Sequence, residues 1–182
     1  VYYNDENITM KDFKTYCEMH LPPGTELMYE KINDRWEIAV APTDGSFQQV
    51  SFVNRINTLQ GGTHVNVIAD QCIKSLSEHI KKKNKKVTTL KPQHVKNYLW
   101  IFVNSLIENP SFNTQTKVTL TTKKTAFGGP APEYSETFEK KLIKSPLVDN
   151  IMSFAQFQQN SELKKTDAKT KTKRLIGIPK LE

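Results

Sequence analysis

Cysteine, glycine and long apolar runs are all scarce in this 182-residue chain, and each scarcity removes a class of protein. Cys17 and Cys72 lie far apart, with no CxxC partner and no nearby histidine cluster. That excludes a disulfide framework, argues against structural zinc and leads us to expect a reduced intracellular compartment. No stretch is apolar enough for a membrane span, and no cationic-then-apolar leader is present, so no membrane partner is expected. With only seven glycines, the chain holds neither GxGxxG nor GxxxxGK[ST], so neither type of complete nucleotide pocket is expected. His20, His64, His79 and His94 lack metal-ligand spacing, and no Ser-His-Asp or nucleophilic cysteine arrangement is visible. We expect no metal site and no self-sufficient catalytic centre. Val1 stands where an initiator methionine would, so the chain reads as a piece of something longer.

What is present suits one sizeable α/β core, with 37% hydrophobic residues. Charge is unevenly spread. Residues 1–60 carry a net −4 and residues 61–182 a net +11, which sum to the overall +7. Such asymmetry points the later part at a polyanion, with DNA or RNA the commonest candidate.

The element pattern is clear along most of the chain. Phe13, Tyr16 and Cys17 form a short helical stripe, ended by Pro22-Pro23-Gly24. Strands are predicted over 26–32 and 35–41, divided by the Asn33-Asp34 turn. A third, over 47–56, completes an expected antiparallel meander. Alternation of Trp36, Ile38 and Val40 with Glu37, Ala39 and Ala41 places one face of the second strand on a core. Gly61-Gly62 then turns the chain into a strong helix with Val65, Ile68, Ala69, Cys72, Ile73, Leu76 and Ile80 on one stripe. Thr63 is its expected N-cap.

That helix runs out into Lys81, Lys82, Lys83, Asn84, Lys85 and Lys86. Cations at a helix C-terminus complement the macrodipole, yet five lysines within six residues also repel one another, which favours contact with a polyanion. Both readings stay open on the residues alone. Pro92 opens a short helical turn before the run 98–107, whose bulk and length describe a buried strand. Turn residues 108–113 end it and lead to Gln115-Thr116-Lys117. A loop launched from a rigid strand can aim one amide and one ammonium at a fixed point, as recognition of a terminal phosphate requires. The same triplet also suits an ordinary solvated loop.

Beyond it, 118–122 reads as an edge strand and 127–132 as a loop. A helix is expected from Ser135, and another opened by Ser145-Pro146 buries Leu147, Val148, Ile151, Met152 and Ala155. After Glu162 apolar residues nearly vanish, and 164–174 reads as a mobile, lysine- and threonine-rich linker.

Several of these segments together resemble eukaryotic type IIA DNA topoisomerase, in the transducer domain of its ATPase region. The motifs are Asn33-Asp34-Arg35-Trp36-Glu37, the stretch 47–54 ending Phe52-Val53-Asn54, Gly61-Gly62-Thr63-His64-Val65, and above all 99–117 with its IFVN, IENP and QTK. In this order they are highly specific, and the resemblance covers nearly the whole chain. It implies an α/β fold, an α+β two-layer sandwich of the GHKL ATPase transducer type. Its mixed sheet would carry helices on one face and a left-handed βαβ crossover. Residues 1–21 would end the preceding nucleotide-binding domain, 22–160 would be the transducer, and 161–182 a basic linker toward the metal-binding cleavage domain.

The resemblance also assigns roles. Gln115 and Lys117 would reach the γ-phosphate of ATP in the neighbouring nucleotide-binding domain, with Lys117 as the catalytic contact. Lys81, Lys82, Lys83, Lys85 and Lys86 would meet double-stranded DNA, and if all five did, the log–log salt slope would be about −4.5. ATP and Mg2+ would be held mainly by domains outside this chain. The partners implied are the nucleotide-binding domain of the same chain and a second copy as homodimer, in the nucleus. This piece alone is expected to be inactive. Asn113, Thr114 and Val118 depart from the usual residues around the loop, and Arg55 stands where a small residue is usual. A mismatch-repair ATPase of similar arrangement fits the IENP and QTK segments less well. The alternative of a different class is a free-standing basic α/β domain that binds nucleic acid without nucleotide chemistry.

Overall fold

The computed structural model describes residues 2–3, 6–7, 11–84 and 90–175, with the backbone course alone for 2–3, 6–7 and 162–175. Two short strands, β1 (Tyr2–Tyr3) and β2 (Glu6–Asn7), pair antiparallel ahead of α1 (Phe13–His20). Asp12 caps α1, its carboxylate accepting from the Thr15 amide at 2.8 Å. The strands β3 (Met28–Asn33), β4 (Trp36–Pro42), β5 (Gln48–Val53) and β6 (Ile56–Asn57) follow. After them come α2 (Thr63–Lys83), α3 (Pro92–Lys96) and β7 (Leu99–Ser105). The chain closes with α4 (Glu136–Lys144) and α5 (Pro146–Leu175).

The five-stranded sheet has the order β3-β4-β7-β5-β6. It is mixed. β7 runs antiparallel to β4 and parallel to β5, and the β5–β7 connection passes through α2 and α3 as a βαβ crossover. The expected three-strand meander is therefore broken: β3 and β4 form the hairpin, but β7 inserts between β4 and β5. Burial supplies the reason. β7 is apolar on both faces, with Leu99, Ile101, Phe102 and Val103 fully buried, and such a strand belongs at the centre of a sheet. The third predicted strand also ends early. Asn54 (φ 51°) and Arg55 (φ 68°) form consecutive left-handed residues, the geometry of a type I′ turn, and fold β6 back on β5.

The main core lies between one sheet face and the helices. Ile38, Val40, Ile101 and Val103 meet Val65, Ile68, Cys72, Leu76 and Ile80 of α2, Leu142 of α4 and Leu147 and Ile151 of α5. The other face is buried over part of its area by α1: Cys17 packs with Ala39, Ala41 and Phe102. β4 is thus covered on both faces rather than one. Tight interiors raise both thiols, Cys72 up to about 12, so neither is a ready nucleophile at neutral pH.

Two helix ends differ from expectation. Gly62, not Thr63, is the N-cap of α2, and the Thr63 hydroxyl donates instead to the Thr122 carbonyl at 2.7 Å. The backbone of α5 continues to Leu175, through the stretch read as a mobile linker. No glycine or proline interrupts 147–176, and its lysines, glutamines and alanines favour helix.

Candidate functional site

The predicted edge strand at 118–122 is instead the return leg of a hairpin-like arm, held by isolated bridges rather than by the sheet. Leu120 faces Phe112 across it. The Asn113 amide donates to the Thr119 carbonyl at 3.1 Å, and the Thr121 amide to the Ser111 carbonyl at 2.9 Å. Gln115 and Lys117 sit together at the exposed tip. There the Lys117 amide closes a turn onto the Thr114 carbonyl at 3.0 Å, and Lys117 takes φ 58°, an uncommon left-handed conformation for a lysine. Its Nζ lies 6.0 Å from the centre of the Phe112 ring, at the outer limit of a cation–π contact. Among the described residues its ammonium is in no ion pair.

The base of the arm is strapped to the start of α2. The Gln60 amide donates to the Val118 carbonyl (2.9 Å), Leu120 to Gly61 (3.0 Å) and Thr63 to Leu120 (3.2 Å). The Thr119 hydroxyl adds a bond to Gln60 Oε1 at 3.0 Å. This strap explains the glycine pair. A Cβ on Gly62, at φ 139°, would stand 2.3 Å from the Leu120 carbonyl oxygen. The glycines let one backbone lie against another, and they do not cradle a phosphate here.

Behind the strap lies a buried polar network. The Ser51 and Thr58 hydroxyls meet at 2.6 Å, and Thr58 Oγ1 lies 3.2 Å from His64 Nε2. His64 is fully buried and its Nδ1 has no protein partner. Desolvation pushes its pKa down to about 4, so it is neutral at physiological pH, a packing residue as its lack of ligand spacing suggested.

The sequence-predicted sites fall into two groups at opposite ends of α2. Lys81, Lys82 and Lys83 are exposed in its last turn, while the arm is tied to its first. Twenty-one residues separate those ends by about 30 Å. The structure does not bring lysines and arm together; it joins them through one continuous helix. Lys85 and Lys86 lie outside the described residues. Also among the described residues, no group of three His, Cys, Asp or Glu side chains could hold a metal ion, and no helix is long and apolar enough to cross a membrane.

Sequence reasoning missed two side chains at the neck of the arm. The Asn54 amide brackets Ile107, Nδ2 donating to its carbonyl and Oδ1 accepting from its N–H, both at 2.9 Å. Arg35 donates from Nε to the Leu106 carbonyl at 3.0 Å and from Nη2 to the Phe127 carbonyl at 2.6 Å. Its Nη1 donates to the Gly128 carbonyl and pairs with Glu108 at 3.3 Å. Both residues lie in motifs noted above, but nothing in their spacing points to residues so distant in sequence.

The DNA gyrase B family model matches residues 2–171. The chain belongs to that family. DNA topoisomerase 2 of Drosophila melanogaster is 41% identical over 189 residues, covering 100% of this chain and 13% of that protein. This gyrase B family chain thus spans about an eighth of such a relative. Among solved structures, the ATPase and transducer domains of DNA topoisomerase II from Balamuthia mandrillaris match with a TM-score of 0.76 at 39% identity. That match covers 81% of this chain and 37% of that one. The ATPase region of Saccharomyces cerevisiae topoisomerase II matches with a TM-score of 0.72 at 42% identity, covering 85% and 39%. The mixed α+β fold implied by the resemblance is therefore the observed one.

Proposed function

We propose that this chain is the transducer part of an ATP-dependent type II DNA topoisomerase, coupling ATP binding and hydrolysis in an adjacent nucleotide-binding domain to capture and passage of a DNA duplex. The observation that carries this reading is the arm. It presents an amide and an ammonium that is in no ion pair among the described residues at an exposed tip, and its base is bonded to the start of a helix that ends in lysines.

In this reading Lys117 neutralises charge on the γ-phosphate and Gln115 adds an oriented donor. A charge-assisted contact of this kind is worth about 1.5–3 kcal/mol. It lasts only while the γ-phosphate is present, so hydrolysis frees the tip and the arm can shift with its helix. ATP and Mg2+ are held mainly by the nucleotide-binding domain, with the tip of this arm reaching the γ-phosphate. Lys81, Lys82 and Lys83, continuing into Lys85 and Lys86, face double-stranded DNA at the far end of α2. Residues 1–21 close the preceding nucleotide-binding domain and 22–160 form the transducer. Residues 161–182 lead toward the cleavage domain, their first part as the extension of α5. The full protein acts in the nucleus as a homodimer, and this part alone is inactive.

The test is Lys117→Ala in the full-length protein, read as DNA-stimulated ATP turnover and strand passage. Loss of the contact should lower turnover about 10- to 150-fold. Near-normal turnover would refute the phosphate role.

A further inference from the structure

We infer that Arg35 and Asn54 are positioning residues that set the aim of the Gln115–Lys117 arm by closing its neck, an inference that rests on the phosphate-contact reading above. The arm leaves the sheet at the end of β7 and comes back at Phe127, so its direction depends on how segments 105–108 and 127–128 are held. Arg35 reaches both. Its guanidinium donates to Leu106 on the outgoing side and to Phe127 and Gly128 on the returning side, while pairing with Glu108 between them. The main chain repeats the clasp. The Leu106 amide donates to the Arg35 carbonyl at 2.8 Å, and the Glu108 amide to the Phe127 carbonyl at 3.3 Å.

A planar fork with five donors in fixed directions reaches acceptors on both segments at once, whereas a lysine ammonium is a compact point charge without that geometry. The FGG loop is shaped to this fork. A Cβ on Gly128, at φ 83°, would stand 2.4 Å from Glu108 Cδ, and one on Gly129 would stand 3.2 Å from Arg35 Nη1.

Asn54 holds the neck from the other side. Its side chain occupies both backbone groups of Ile107, and its own amide donates to the Ser105 carbonyl at 2.9 Å. It makes these bonds from a left-handed turn position, φ 51°, which asparagine tolerates better than most residues. Neither residue is at the tip. Each acts through Lys117, because the strap to α2 holds only the returning leg at 118–120, while the neck sets where the outgoing leg to the tip begins. A displacement of about 1 Å at a reacting group can cost about 100-fold in rate.

The experiment is a double-mutant cycle in the full-length protein, with ATP turnover as the readout. Arg35→Gln alone should lower DNA-stimulated turnover about 10-fold, by the same misplacement argument. Added to Lys117→Ala, it should lower turnover less than about 2-fold further, since the group it aims is already gone. Losses that multiply in full would overturn the positioning role, as would normal turnover in Arg35→Gln. If Lys117→Ala alone leaves turnover intact, the phosphate reading falls first and this inference falls with it. Should Arg35→Gln fail to fold, Arg35→Lys and the near-isosteric Asn54→Asp carry the same cycle. Amide exchange separates aim from general loosening. In the variants Ile107 and Glu108 should lose protection while Asn113 and Thr121, bonded within the arm, keep theirs. Equal loss across all four amides would mean that the arm had melted rather than turned, and would overturn the positioning role.

Discussion

The two ends of α2 are built on opposite physical plans. At the N-terminal end, a glycine lets two backbones touch, a hydroxyl network is sealed from water, and a neutral histidine sits without solvent. At the C-terminal end, three lysines stand exposed, and the Asn84 amide donating to the Ile80 carbonyl at 2.9 Å ends the helix. Close contacts and buried polar groups tolerate few alternatives, so the first end is rigid. Solvated charge is indifferent to small shifts but sensitive to salt, so the second end suits a partner that varies in detail and is uniform in charge.

Three changes test that contrast. The largest effect belongs to Gly62→Ala. A methyl group 2.3 Å from the Leu120 carbonyl oxygen must force the strap away from the helix. The combined clash and backbone strain should cost about 3 kcal/mol or more, read by urea unfolding. A loss under about 1 kcal/mol would show the strapped end to be as yielding as the lysine end.

Next comes pH. His64 has its pKa pushed down to about 4 by burial, against about 6.5 in an unfolded chain. The unfolded state therefore binds the extra proton first. The stability from keeping this ring neutral is complete above about pH 6.5 and is lost as pH falls toward 4. The loss should reach about 3 kcal/mol, and His64→Gln should remove that part of the pH dependence. An unchanged profile in the variant would place the titration elsewhere.

The smallest effect on the fold should come from replacing Lys81, Lys82 and Lys83 with alanine. Lost dipole interactions and relieved repulsion oppose each other, so stability should move by less than about 1 kcal/mol. Binding of the full-length protein to duplex DNA should nonetheless weaken, with the salt slope falling by at most about 2.7. Basal ATP turnover should change less than its DNA stimulation. Equal losses of both would count against a DNA-facing role and would blur the distinction between the two ends.

Much of this molecule was legible in its residues. The stripe from Val65 to Ile80 specified α2, the apolar run at 98–107 specified a buried strand, and Pro92 opened α3 where its fixed φ suits a first turn. The exposed tip at 115–117 followed from turn residues after a buried strand. The meander did not survive, because β4 and β5 are neighbours in sequence while β7 has the stronger claim to the centre. The Thr63 cap did not survive either, since the Thr122 carbonyl offered its hydroxyl another partner.

By itself, then, the sequence determined which stretches become helix or strand and which face of each turns inward, because those properties repeat at 3.6 or 2 residues along the chain. Tertiary structure alone decided the strand order, the strap on α2, the neutrality of His64 and the grip of Arg35 on carbonyls up to 93 residues away. Such pairings leave no local period. They exist only where folding has removed water and set distant groups within bonding distance.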